Sequence, residues 1–316
     1  MVSKRLAAIP LAILVVCFAR GQGGTQSSLQ SNLHAKLEAG LLREAEGLDG
    51  VMGYFIQDLA TGETFEHNAE LVFPTASTIK LTVLLELMRQ DQEGKLSLDE
   101  KHTVRRNETA AGDPILYMLG DGTVTMTLAD LATFMVVLSD NSATNILIER
   151  VGMANVNSRA GSLGLNQTHL RRKMMDLEAA RQGSENVSTP RELSGLLAKL
   201  RAGKALDPAH TKKYLALLAL PKDSLFNKAL PSGTVIEDKP GALEGVRCDA
   251  GIIEIPGRPF VITVMTTYLG DENQGERAIE SVARKAYEHF TRLNQARIDS
   301  ADRDFADTNE SVLRVE

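Results

Sequence analysis

From Ser28 to about Glu46 apolar residues recur at helical spacing, with Leu33, Leu37, Leu41 and Leu42 on one side, which predicts an N-terminal surface helix. Residues 51 to 59 are strand-like, and Thr61-Gly62-Glu63 turns them toward Thr64-Phe65-Glu66 as a hairpin. After Pro74 the period changes. Leu81, Val83, Leu84, Leu85, Leu87 and Met88 surround a helix with apolar side chains, which predicts a buried helix with Ser77 at its beginning. Thr127 to Leu138 is a second apolar helix, with Thr127 and Asp130 spaced for mutual capping, and Ser142 to Val151 a third. Gly164 to Pro190 is polar and irregular and reads as a long loop. Helices follow from Pro190 to about Ala202 and from Pro208 to Leu218. Strands return at Val235 to Asp238, Gly251 to Ile255 and Phe260 to Thr267, with Pro256-Gly257 as a turn. Ile279, Val282, Ala283, Ala286, Tyr287, Phe290 and Leu293 line one face of a last helix.

Strands at both ends with helices between them predict a discontinuous α/β (α+β) fold. Its antiparallel sheet would be flanked by helices, with an all-α domain inserted. The expected division is an α/β part over 28–74 and 221–294 and an all-α part over 75–220. Residues 296–316 hold six acids, three arginines and few large apolar groups, the composition of a disordered tail.

A hydrophobic fraction of 43% and a charged fraction of 24% belong to a globular chain, so disorder is not the default elsewhere. Lys4 and Arg5, the apolar stretch Leu6 to Ala19 and the small-x-small step Ala19-Arg20-Gly21 read as a secretory signal over residues 1–21. The apolar stretch is short of the ~20 residues of a membrane span and contains Pro10, so a retained anchor is the lesser reading and no stable membrane insertion is expected after cleavage. Cleavage removes Lys4, Arg5 and Arg20 and moves the formal charge from -6 to -9. Such an acidic product argues against nucleic acid as a partner. Of the two cysteines only Cys248 remains, so no internal disulfide can form and Cys248 reads as a small buried hydrophobe.

Three short signals stand in order: Ser77-Thr78-Ile79-Lys80, Ser139-Asp140-Asn141 and Lys239-Pro240-Gly241. A serine hydroxyl needs a base within reach, and residues three apart on a helix share a face, so Ser77 and Lys80 meet. Burial would lower the lysine's proton affinity enough for it to accept the Ser77 proton. Taken alone, S-x-x-K occurs by chance about once in a chain of this length, and a helix cap with a solvated lysine explains it. The ordered trio is more specific. It resembles the S-x-x-K, S-D-N and K-[ST]-G set of the penicillin-recognising serine enzymes, and the organisation over roughly 28–294 is similar to class A β-lactamases. No G-x-S-x-G elbow, zinc motif or phosphate loop competes, and the scattered histidines read as structural or solvated. Tyr117 reads either as a wall of the cleft or as packing.

The resemblance implies an exported, periplasmic or secreted, β-lactamase/transpeptidase-like monomer that hydrolyses a β-lactam or related small acyl donor without metal or other cofactor. It assigns Ser77 as nucleophile, Lys80 as its base, and Ser139 as proton donor to the leaving nitrogen. Asp140 would brace the loop. On the binding side it assigns Asn141 to the substrate amide, Lys239 to the substrate carboxylate and Gly241 to clearance along the strand edge. The Ser77 and Ala242 N–H groups would form the oxyanion hole.

Two positions depart from the family. Matching Thr168 to Leu177 to the family's loop puts Met174 where a glutamate activates the deacylating water, and a thioether is no general base. Asp176 and Glu178 are nearby carboxylates, either substitutes for that glutamate or partners of Arg171 or Arg172. Pro240 replaces a hydroxyl residue and lacks an N–H. Hydrolysis of peptidoglycan peptides or small esters, or a sensor or scaffold that holds its acyl group, therefore remain alternatives to β-lactam hydrolysis.

Overall fold

The protein is described by a computed structural model over residues 22–110 and 115–313, with side chains over 29–110 and 115–296. The expected leader, residues 1–21, lies outside the described residues. Helix α1 (Gln22–Glu46) leads into β1 (Val51–Asp58), β2 (Thr64–His67) and the short β3 (Phe73–Pro74). A 3-10 turn, Ala76–Ile79, carries Ser77 and runs into α2 (Lys80–Gln92). Next come β4 (Lys101–Thr103), α3 (Ile115–Met118), β5 (Thr125–Thr127), α4 (Leu128–Val137), α5 (Asn141–Val151) and α6 (Met153–Ser162). The chain continues through α7 (Leu177–Arg181), β6 (Val187–Ser188), α8 (Pro190–Arg201), α9 (Pro208–Leu218) and α10 (Leu225–Ala229). It closes with β7 (Ile236–Leu243), β8 (Val246–Ile253), β9 (Phe260–Thr267) and α11 (Glu272–Leu313).

The main sheet is antiparallel in the order β2-β1-β9-β8-β7. Alternation along β1 and β9 sends Ile56, Ile262 and Val264 to the face covered by α1, α10 and α11, where Leu41, Phe226, Ile279, Val282 and Phe290 complete a core. The opposite face, with Cys248, Ala250, Ile252, Val261 and Met265, joins a second core built by α2, α4, α5, α8 and α9. Helix α2 is the centre of that core: Leu81, Val83, Leu84, Leu85 and Leu87 are all fully buried. Each contributes roughly 1.5–3 kcal/mol, so packing rather than helix propensity fixes this element. The predicted cap on α4 is present, with the Asp130 N–H donating to Thr127 Oγ1 at 3.0 Å and the Thr127 N–H to Asp130 Oδ2 at 2.9 Å.

Several expectations need correction. Lys239-Pro240-Gly241 lies inside β7 rather than after a strand, because β7 is the sheet edge, where a proline's missing N–H costs no ladder bond. Strand β8 begins at Val246, five residues earlier than expected. Arg247 and Asp249 keep the alternation but read as polar surface positions; in the fold Arg247 pairs with Glu276 and Asp249 Oδ2 accepts the Leu225 N–H, while Asp249 Oδ1 is buried without a partner. The region after α5 contains α6, and the long loop carries α7 and pairs β6 with β3. The backbone of α11 is helical to Leu313, where its Ala, Arg and Glu residues include good helix formers. The histidines stand far apart in sequence, and the fold packs His34 and His289 within 5.1 Å between ring centroids. Burial lowers the His289 pKa to about 4, which keeps it neutral in that apolar setting. Among the described residues no helix is long and apolar enough to cross a membrane, and no group of three or more His, Cys, Asp or Glu is arranged to hold a metal.

Candidate active site

A cleft of about 680 Å³ lies between the start of α2, the Ser139 to Asn141 segment, the α9–α10 connection and β7. Ser77, Ser139, Asn141, Lys239, Gly241 and Ala242 all line it. Lys80 stands just behind, 1% exposed, because the 3-10 turn at Ser77 passes directly into α2 and turns residue 80 toward the interior. All seven residues expected from the sequence therefore converge.

Polar contacts organise them. Lys80 Nζ lies 2.6 Å from the Ser139 carbonyl, 3.0 Å from Ser139 Oγ and 3.1 Å from Asn141 Oδ1. From the other side Lys239 Nζ donates to Ser139 Oγ at 3.1 Å and to the Pro240 carbonyl at 2.9 Å. The Ser139 hydroxyl thus bridges two lysines. Lys239 is 1% exposed, and burial, helped by the Lys222 charge and opposed by Asp249 and Asp238, lowers its pKa to about 8. Asp140 caps α5, accepting the Ala143 N–H at 2.8 Å on one oxygen and the Leu116 N–H at 3.4 Å on the other, which ties α5 to α3.

The backbone is strained around this cleft. Ala76, Ser139 and Met175 have φ of 46°, 54° and 63°, values that cost a non-glycine residue about 1–3 kcal/mol and persist where the surroundings impose them. Gly241 allows the closest approach: a Cβ there would lie 2.8 Å from the Ser77 nitrogen and 2.9 Å from the Thr75 carbonyl. Strand β7 can press against the Ser77 turn only with glycine at 241.

Met174 is held by Asn145 of α5, whose amide donates to the Met174 carbonyl at 3.1 Å while its oxygen accepts the Met174 N–H at 2.8 Å; it is the next residue, Met175, that lines the cleft. The Met174 side chain is buried in the helical core. Neither neighbouring carboxylate meets the arginines considered from the sequence. Asp176 caps α7 through the Ala179 N–H, Glu178 pairs with Arg181, and Arg172 takes Glu185. Among the described residues, the carboxylates lining the cleft are Asp223 and Glu276, paired with Lys228 and Arg247.

Tyr117 does not line the cavity; its ring lies under the Arg106 guanidinium at 5.5 Å. Cys248 does line it but is buried, which pushes its thiol up to about 12. Sequence reasoning missed Lys222, Arg247, Met175 and the Asn145 clamp. No local signal marks Lys222 or Arg247, whose roles arise from strand pairing and chain crossing. Met175 is signalled only by adjacency to Met174.

Comparison with known proteins agrees with this geometry. Residues 33–290 match the beta-lactamase enzyme family. Beta-lactamase SME-1 of Serratia marcescens is 28% identical over 251 residues, 76% of this chain and 84% of that protein. A beta-lactamase structure from Sphaerobacter thermophilus superposes with a TM-score of 0.75 at 32% identity, covering 81% of this chain and 97% of that one. The structure of PBP-A superposes equally well, with a TM-score of 0.75 at 26% identity over 81% and 96% of the two chains. With its match spanning most of the chain and its serine, lysines and S-D-N segment gathered in one cleft, the protein belongs to the beta-lactamase enzyme family and is a serine hydrolase of that type.

Proposed function

We propose that the protein is an exported enzyme acylated at Ser77 by β-lactams, and that it releases the acyl group slowly. The observation that carries this reading is the Ser139 hydroxyl held between Lys80 and Lys239 in the cleft that Ser77 lines. Lys80 in its amine form takes the Ser77 proton as Oγ attacks the lactam carbonyl. The resulting oxyanion is met by the N–H groups of Ser77 and Ala242. As the C–N bond breaks, Ser139 gives its proton to the leaving nitrogen and is reprotonated from the lysine side, so Lys80 returns to its starting form. Asn141 holds the amide side chain, and the Lys239 ammonium holds the substrate carboxylate. Export rests on the leader-like residues 1–21 and the family.

Release is slow because no carboxylate stands at Met174 to activate water, and Asp176 and Glu178 are committed to α7 and Arg181. Likeness to PBP-A, a point mutant of which is described as an acyl-enzyme complex with penicillin G, supports acylation in this fold. The same buried thioether favours a second reading, a hydrolase of peptidoglycan peptides that β-lactams trap. Incubating the mature protein with a fluorescent penicillin and following both labelling and release tests the proposal. Absence of labelling would sink both readings, whereas fast release would remove the slow step.

Two outcomes follow for β7. Lys239→Ala is expected to lower kcat/KM for carboxylate-bearing donors by about 10²-fold, chiefly through KM, while neutral esters lose little. In the unsubstituted protein the same preference fades as pH rises through about 8, because the ammonium is lost there. Equal losses for both donor types would remove Lys239 from the binding site. Gly241→Ala is expected to slow acylation at least ~10-fold by forcing β7 away from Ser77, since a displaced oxyanion donor costs up to ~10²–10³-fold. An unchanged acylation rate in the folded variant contradicts that arrangement.

A further inference from the structure

A second cavity, of about 590 Å³, lies between the end of α8, one face of α9 and the beginning of β7, and shares no lining residue with the cleft at Ser77. Thr211, Lys212, Leu215 and Ala216 fall at helical spacing and turn one stripe of α9 toward it. With Ala202 and Pro208, Leu215 and Ala216 give the cavity an apolar wall. That wall suits a hydrocarbon.

The charged groups decide what the hydrocarbon carries. Arg201, at the end of α8, is taken by Glu254 at 2.8 Å, and Lys212 is an exposed residue of α9. Glu237, the second residue of β7, is different: it is 8% exposed, and its Oε2 is buried with no hydrogen-bond partner. Side chains alternate along a strand, so Ile236 goes to the core under α11 while Glu237, like Lys239, faces the helical part. Rotation about the last bond of a glutamate side chain is nearly free, so either oxygen can be presented to the cavity.

A buried acceptor without a donor is costly, and a donor that enters the cavity relieves the cost. Burial first, and then the Glu254 charge, raise the Glu237 pKa to about 7 against the opposing Arg201 charge. Near neutrality the group therefore ionises readily for a cation. A metal ion would need several oxygen ligands, and among the described residues Glu237 is the one carboxyl that lines the cavity.

We infer that this cavity is a second ligand site whose ligand class is a small organic cation, an ammonium on a short alkyl chain: the chain lies along Leu215 and Ala216, and the ammonium donates to the Glu237 carboxylate. The site is separate from acyl transfer, so binding rather than turnover reads it.

The probes are n-hexylammonium, n-hexanol and n-hexanoate, titrated into the mature protein and followed by the amide NMR signals of α9 and β7. Hexylammonium is expected to bind at least ~10-fold more tightly than either of the others. An alkylammonium keeps its proton well above neutrality, so only Glu237 changes charge, and below its pKa binding must expel the Glu237 proton. Hexylammonium affinity should therefore rise about 10-fold between about pH 6 and pH 8 and level off above. Glu237→Gln keeps the shape and removes the charge; it should cost hexylammonium at least ~10-fold, abolish the pH dependence and leave hexanol unchanged. Ala216→Phe, at an exposed position of α9, fills the cavity and should weaken hexylammonium and hexanol alike, so it decides the matter even if Glu237→Gln does not fold.

Equal affinities for the three probes, or binding to Glu237→Gln as tight as to the parent, overturn the inference. So does a preference for hexanoate, which would make the Arg201 and Lys212 charges the determinants. Signal changes confined to the Ser77 cleft would place the cation in the active site instead and overturn it equally.

Discussion

Ser77→Ala is expected to abolish covalent labelling by penicillin, with intact-mass measurements showing no adduct at any time. The residue lines the cleft at the turn before α2, a few ångströms of backbone from Gly241 and on the same helical face as the buried Lys80. Its neighbour Ala76 is held at a positive φ, and Lys80 is fixed by three acceptors on the opposite wall. Ser139 has comparable polar surroundings, but its Oγ already bridges two lysines. Loss of a serine nucleophile removes on the order of 10⁶ in rate, while the remaining cleft can still bind the donor. Binding without an adduct is thus the outcome in full. Should the variant carry the same adduct as the parent, the nucleophile is another residue and the reading of the first signal is wrong.

Met174→Glu is expected to accelerate the slow phase that follows a penicillin burst by ~10²- to 10⁴-fold, the usual worth of a positioned general base. Asn145 grips the backbone of residue 174 from both sides, so the new side chain starts from the same place as the old one. Burial there also favours a raised carboxyl pKa, suited to a base working near neutrality. The same burial has a cost, since the thioether packs in the helical core; a loss of about 1–3 kcal/mol and a fall of several degrees in Tm should accompany the gain. Stopped-flow measurement separates the burst from the steady rate. If the parent shows no burst, and Asp176→Asn or Glu178→Gln abolishes its turnover, a neighbouring carboxylate supplies the base. A folded Met174→Glu protein that acylates normally and releases no faster would falsify the placement of the water beside residue 174.

Long apolar helices were legible because burial imposes periodicity: α2 reads as buried all round and is, and the face of α11 from Ile279 to Leu293 is the one that meets the sheet. The three signals were legible because their residue types are rare in combination and their chemistry is local. Strand β7 misled because Pro-Gly is ordinary turn chemistry, and only the sheet order reveals it as an edge where proline is tolerated. Strand β8 was hidden for the opposite reason. Arg247 and Asp249 look like surface residues, and their burial depends on α11 carboxylates and α10 N–H groups brought in from elsewhere in the chain. Helix α6 escaped notice since its Asn, Ser and Gly content favours turns in isolation; packing through Val156 and Ala160 overrides that preference. The Asn145 clamp on Met174 and the Lys222 contact with Asp238 join residues 29 and 16 positions apart, and no spacing rule anticipates either.

The proline in β7 narrows what can lie along the rim of the sheet. In an edge strand proline is accommodated with its nitrogen turned away from the neighbouring strand, and residues two apart present their backbone groups on the same side. Of the outward positions 240 and 242, only Ala242 therefore offers a donor. The Pro240 carbonyl is already occupied by the Lys239 ammonium. An extended polypeptide seeking to add itself as a sixth strand finds neither partner at 240, so the rim discriminates against ladder-forming ligands and against pairing between molecules. A compact acyl donor that needs one N–H for its carbonyl and one cation for its carboxylate loses nothing by that omission.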